Sequence, residues 1–191
     1  MRPLICILLL LTLLLPKVTA QETVTITNFD TPPKIDGIAS EEIWQSAVPI
    51  TSFIQREPDN GAPFTEETEV YIGYDKQYLY VAFRCFGDPE KINAKELARD
   101  VSLMHDDRVQ IILDTYLDGR NGYWFQIGPR GSIGDAIISE NGAAFNKAWD
   151  GLWTGKAKIH ENGWDAELSI PLKTLGFKKG ADTWGLKLIR Y

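Results

Sequence analysis

Residues 106–134 read DDRVQIILDTYLDGRNGYWFQIGPRGSIG, and this stretch decides the fold. Side chains alternate between two faces of a strand. Over Arg108–Asp114 that rule places Val109, Ile111 and Leu113 on one face, and Arg108, Gln110, Ile112 and Asp114 on the other. A turn of Asp, Gly, Arg and Asn over 116–122 sends the chain back. Tyr123, Phe125 and Ile127 then alternate with Trp124 and Gln126. Gly128-Pro129-Arg130-Gly131 turns again into a strand over Ser132–Ser139. Three short strands joined by tight turns, each with one apolar face, specify an antiparallel sheet packed on one side.

The same pattern extends outward. Thr68–Tyr74 and Tyr78–Cys85 form a hairpin about Asp75-Lys76-Gln77, with Leu79, Val81, Phe83 and Cys85 on one face. Leu152–His160 and the strand from Trp164 to Ile170 flank a Glu161-Asn162-Gly163 turn. Strands are also expected over Thr23–Phe29, Val48–Gln55 and Trp184–Tyr191. Ser40 can cap a short helix carrying Glu41, Glu42, Ile43, Trp44 and Ala47. Its Trp44 is expected to plug one end of the core. Ten or so strands with regular turns predict an all-β protein, an antiparallel β-sandwich of jelly-roll type with one or two short helices.

Arg2, the apolar run Leu4–Leu15 and the small residues Val18-Thr19-Ala20 form the three-part pattern of a secretory signal peptide over 1–20. The remaining chain, 21–191, is read as one domain of an exported protein, periplasmic, outer-membrane-associated or extracellular. No later apolar run is long enough for a membrane-crossing helix. The formal net charge is −6, and removing Arg2 and Lys17 with the leader takes it to −8. An acidic surface of this kind argues against nucleic acid as a partner. Cys85 is the one cysteine beyond the leader and shares the apolar face of its strand, so it is read as buried and inert.

Several segments resemble family 9 carbohydrate-binding modules. They are Lys34-Ile35-Asp36-Gly37 with Glu42-Ile43-Trp44, Tyr74-Asp75 with Leu79-Tyr80-Val81, residues 107–114, and Gly163-Trp164-Asp165-Ala166-Glu167 ahead of Ile170-Pro171. They occur in the family's order and span nearly all of the chain after the leader. Asp118-Gly119-Arg120-Asn121-Gly122-Tyr123, Pro129-Arg130-Gly131, Trp149-Asp150-Gly151-Leu152-Trp153 and Trp184-Gly185 resemble a branch of secreted bacterial proteins. That branch carries such a module ahead of an outer-membrane barrel-like region. The resemblance implies a non-catalytic module for a mono- or oligosaccharide, associated with polysaccharide use. It also implies that this segment is the N-terminal part of a longer chain, as an apolar strand closing on Ile189-Arg190-Tyr191 suggests. Oligomeric state is not legible in the sequence.

Sugars are held by aromatic faces against pyranose rings and by amides, carboxylates and guanidinium groups on hydroxyls. The residues that fit are Arg84, Gln110, Trp124 and Gln126, each opposite the apolar face of its strand, with Trp149 as a second aromatic wall. Trp153, Trp164 and Trp184 are read as core. No cofactor is required by this chemistry. The resemblance implies a structural calcium ion, for which Asp106, Asp107, Asp114 and Asp118 supply hard oxygens. A protein-docking module without sugar affinity is the alternative, and a haem sandwich using Met104-His105 is a remote one. Glycoside hydrolysis needs two carboxylates across a cleft. Glu167 is the one named candidate, and the expectation is against it.

Overall fold

The computed structural model describes residues 23–191. The leader reading, which falls on residues 1–20, lies outside the described residues. Two five-stranded sheets face each other. The first has the order β1 (Thr27–Asn28), β2 (Thr68–Tyr74), β3 (Tyr78–Phe86), β9 (Gly163–Pro171), β8 (Thr154–His160). The second has the order β10 (Gly185–Arg190), β4 (Val109–Asp114), β5 (Gly122–Ile127), β6 (Ile133–Ser139), β7 (Ala144–Asn146). All pairings are antiparallel except β1 with β2, which is parallel.

The alternation read from 106–134 sets the core. Val109, Ile111, Leu113, Phe125 and Ile127 are at most 3% exposed and meet Val81, Phe83, Trp164 and Leu168 from the first sheet. Trp153 and Trp164 are buried there as expected, and Trp184 packs at the margin against Phe177. Cys85 is buried in the same cluster, and burial pushes its thiol up to about 12, beyond thiolate chemistry at neutral pH.

Three expectations need correction. Val48–Gln55 does not form a strand of a sheet; it makes isolated bridges at Ile50–Val70 and Ile54–Pro63. Pro49, near its start, has no N–H to donate to a ladder. The helix α1 (Glu42–Gln45) is capped at Glu41 without a side-chain hydrogen bond, so Ser40 is not its cap. Trp44 does not plug the end of the core. It lies on the outer face of the first sheet, edge-on to Phe29, which stacks on Tyr80. Residues 29–47 thus form an arm that covers the sheet face opposite the core.

The arm is held by two buried carboxylates of β9. Glu167 accepts from Asp36 N (2.8 Å), Gly37 N (2.7 Å) and Trp44 Nε1 (2.8 Å). Asp165 accepts from Ala39 N (3.0 Å) and faces His160 Nε2 at 3.1 Å. Gly37 has a positive φ of 91°, and a Cβ there would strike the Ala157 backbone, so the close approach requires glycine. Phe29 takes the space over Gly73, where any Cβ would overlap its ring.

Burial pushes the Glu167 carboxyl up to about 7, against the pull of its three donors and with the charge of Glu41 adding to the rise. A carboxyl that binds its proton more tightly folded than unfolded favours the fold most below its ordinary value of 4.5. That contribution is lost as pH rises through about 7. Glu167→Gln carries no titrating proton. The Tm difference between the native protein and Glu167→Gln is therefore expected to be larger at pH 5 than at pH 8. Equal differences at the two pH values would remove the argument.

Candidate functional site

The outer face of the second sheet is built by the side chains that the alternation excludes from the core. Register places Gln110 directly opposite Gln126, and Gln126 opposite Gly134. Ile189 of β10 lies beside Gln110. One step along, Ile112, Trp124 and Ala136 lie in a row. Ile138 pairs with Phe145 of β7, whose ring meets Trp124 edge-on with centroids 5.0 Å apart. Trp124 is only 7% exposed, whereas Phe145 is 47% exposed. The indole therefore supports the phenyl ring, and the phenyl ring is what solvent meets. Gly134 leaves room for the Gln126 amide; a Cβ there would lie 2.9 Å from its Nε2.

A strap over residues 93–107 borders this platform at the end where β4 begins. Gln126 Nε2 donates to Val101 O at 3.4 Å, and Ser132 Oγ donates to Ala98 O at 2.7 Å. Asp100 N donates to Ile133 O at 2.8 Å. Arg99 reaches over the sheet edge to Asp135, which is 1% exposed. Asp135 also accepts from Trp153 Nε1 (2.8 Å) and Gly151 N (3.1 Å). Arg108 closes the strap by donating to Leu103 O at 2.8 Å while its guanidinium stacks on Tyr191.

Three of the five expected sugar-contacting residues, Gln110, Trp124 and Gln126, share the platform. Arg84 does not join them. It belongs to the other sheet, where it pairs with Glu69 at 3.1 Å on the far side of the sandwich. Face reading within one strand cannot say which sheet the strand enters. Trp149 does not form a wall of the platform either. It packs on the core side of β5 against Tyr123 (5.2 Å) and Phe125 (6.0 Å). Phe145 was missed because it sits in a polar stretch, Glu140–Lys147; its β7 strand is three residues long and carries too little pattern to read.

The four aspartates proposed for calcium do not fit one ion. Asp106 and Asp107 precede β4, whereas Asp114 ends it and Asp118 lies in the next turn. At roughly 3.3 Å per residue, the two pairs stand about 20 Å apart. Their oxygens serve backbone amides instead. Asp106 accepts from Lys95 N and Glu96 N, and Asp107 from Asn93 N. Asp114 accepts from Gly119 N, and Asp118 from Arg120 N and Asn121 N. Met104 and His105 are both exposed on the strap.

The platform's central rows hold two amides that are nearly closed to solvent, Gln110 at 9% and Gln126 at 4% exposure, beside apolar groups that end in the half-exposed Phe145 ring. They carry no acid–base pair. Glu167, the one carboxylate considered for hydrolysis, is sealed beneath the arm with both oxygens engaged.

No protein-family profile and no curated protein sequence matches the chain. Solved structures do. The chain resembles a family 9 carbohydrate-binding module of Caldicellulosiruptor kristjanssonii in complex with glucose, at 18% identity over 87% of this chain and 76% of that one, TM-score 0.62. A family 9 carbohydrate-binding module of that organism in complex with cellotriose matches at 17% identity over 87% of this chain and 75% of that one, TM-score 0.63. A proposed carbohydrate-binding protein of Bacteroides uniformis matches at 12% identity over 78% and 72%, TM-score 0.60.

Proposed function

We propose that this chain, which has the fold of family 9 carbohydrate-binding modules, is an exported, non-catalytic module that binds carbohydrate on the outer face of its second sheet. The observation that carries the reading is the half-exposed Phe145 ring, seated on Trp124 at the margin of a sheet face whose Gln110 and Gln126 lie nearly closed off beside the strap. An exposed aromatic ring covers the apolar face of a sugar ring. The glucose and cellotriose complexes of the structural neighbours make neutral glucosides the first ligands to try.

Titration with glucose, cellobiose and cellotriose, followed by calorimetry, tests the site. Phe145→Ala is expected to weaken binding about tenfold, the loss of one good contact of ~1.4 kcal/mol. Phe145 is half exposed, so its removal should leave the fold intact. Absence of heat with every sugar, on a protein that melts cooperatively, would reject the reading in favour of a docking module.

A further inference from the structure

Away from the platform, two depressions meet on the first sheet's side of the molecule. One, of about 460 Å³, runs past Asp150, Leu152, Thr154 and Ser169. The other, of about 310 Å³, runs past Gln77, Leu172 and the pair Lys76 and Lys173. Tyr78 and Pro171 line both, so together they make one elongated groove with those two residues at its waist.

The groove is built on rigid parts. Asp75 accepts from Gln77 N (2.6 Å), Tyr78 N (2.8 Å) and Tyr80 Oη (2.8 Å), which fixes the turn beneath it. Leu172 N donates to Gln77 O at 2.7 Å, and Thr174 Oγ1 donates to Leu152 O at 3.0 Å. Tyr78 is stacked on Tyr80, with centroids 5.9 Å apart, so its ring is held in place. Leu152 is 71% exposed at the floor's edge, unlike its buried neighbour Trp153.

The charges are arranged by end. Lys76 and Lys173 are exposed, and among the described residues neither makes an ion pair. On a chain of net charge −6, two unpaired ammonium groups lining one pocket form a local anion site. The other end carries Asp150, fixed by Arg99 yet open to solvent, with the hydroxyls of Thr154 and Ser169 nearby. Apolar steps of ring size between a hydroxyl-binding end and a carboxylate-binding end suit a chain of sugar rings with an acidic group.

We infer that this groove is a second ligand site, for an acidic oligosaccharide whose ring rests on Tyr78 and Pro171 and whose carboxylate reaches Lys76 and Lys173. The inference does not depend on the platform.

Calorimetry with a trisaccharide of two galactoses and one terminal galacturonic acid, and with its all-galactose counterpart, tests it. The acidic trisaccharide is expected to bind at least tenfold more tightly than the neutral one. Lys76→Glu with Lys173→Glu should cost tenfold or more, as should Tyr78→Ala, with melting used to confirm that each variant folds. Phe145→Ala should leave this binding unchanged, as should Lys156→Glu with Lys158→Glu on β8. No binding of the acidic trisaccharide overturns the inference. Equal loss in the β8 double variant would mean unspecific charge attraction, and loss in Phe145→Ala would move the ligand to the platform; either overturns it. So does an acidic peptide of the same charge that binds as well as the trisaccharide.

Discussion

Glu167→Ala is expected to destabilise the protein by about 3–5 kcal/mol, because it strands two buried donors and a part-buried one at once. Asp36 N, Gly37 N and Trp44 Nε1 all end on this one carboxylate, and it is fully buried. The loss should begin locally. Amide exchange over residues 36–44 should accelerate well before that of β3, whose inner face packs in the separate core between the sheets. Urea unfolding measures the total, and a loss below about 1 kcal/mol would show that the arm docks by apolar contact alone.

Asp135→Ala is the second large effect, again about 3–4 kcal/mol. Asp135 holds Arg99, Trp153 Nε1 and Gly151 N in a site that is 1% exposed. Removing the carboxylate takes away one of the strap's ties to the sheet, alongside those at Ala98, Asp100 and Val101, and leaves the indole donor of Trp153 without its acceptor. Asp135→Asn keeps the shape and one acceptor oxygen, so it should lose less than half as much. The strap also carries Val101, which holds the Gln126 amide. Any sugar affinity of the platform should therefore fall in Asp135→Ala in parallel with stability. Equal stability of the Asn and Ala variants, measured by urea titration, would refute the buried-acceptor account.

The β-sandwich was legible because its signal is local. Alternation over Val109–Leu113 and Tyr123–Ile127 needs no knowledge of the partner sheet to assign the inner face. Gln110, Trp124 and Gln126 were found by the same rule in reverse. Arg84 was misplaced because a strand's polar face can point to either side of the sandwich, depending on which sheet the strand joins, and Trp149 because it sits in the β7–β8 loop, where no alternation says which way the indole turns. β3 pairs with β9, 77 (163 − 86) to 93 (171 − 78) positions further along the chain, so its sheet membership is not written in the residues around Arg84. The calcium set failed on distance, since a strand carries its two ends apart. Trp44 failed on layer. A short helix can cover an outer face when the sheet beneath offers buried acceptors, and Glu167 and Asp165 look like ordinary outward-facing acids in the sequence.

The dependence of the arm on β9 sets an order of events in folding. Residues 36–44 are made early, but the carboxylates they dock against lie more than 120 positions later in the chain. The first half of the first sheet, β2 with β3, can form as a hairpin, yet its outer aromatic face stays uncovered until β9 pairs in. The arm can therefore dock only after β9 has joined the sheet, and until then Phe29, Trp44 and Tyr80 are a sticky surface that a chaperone has reason to hold.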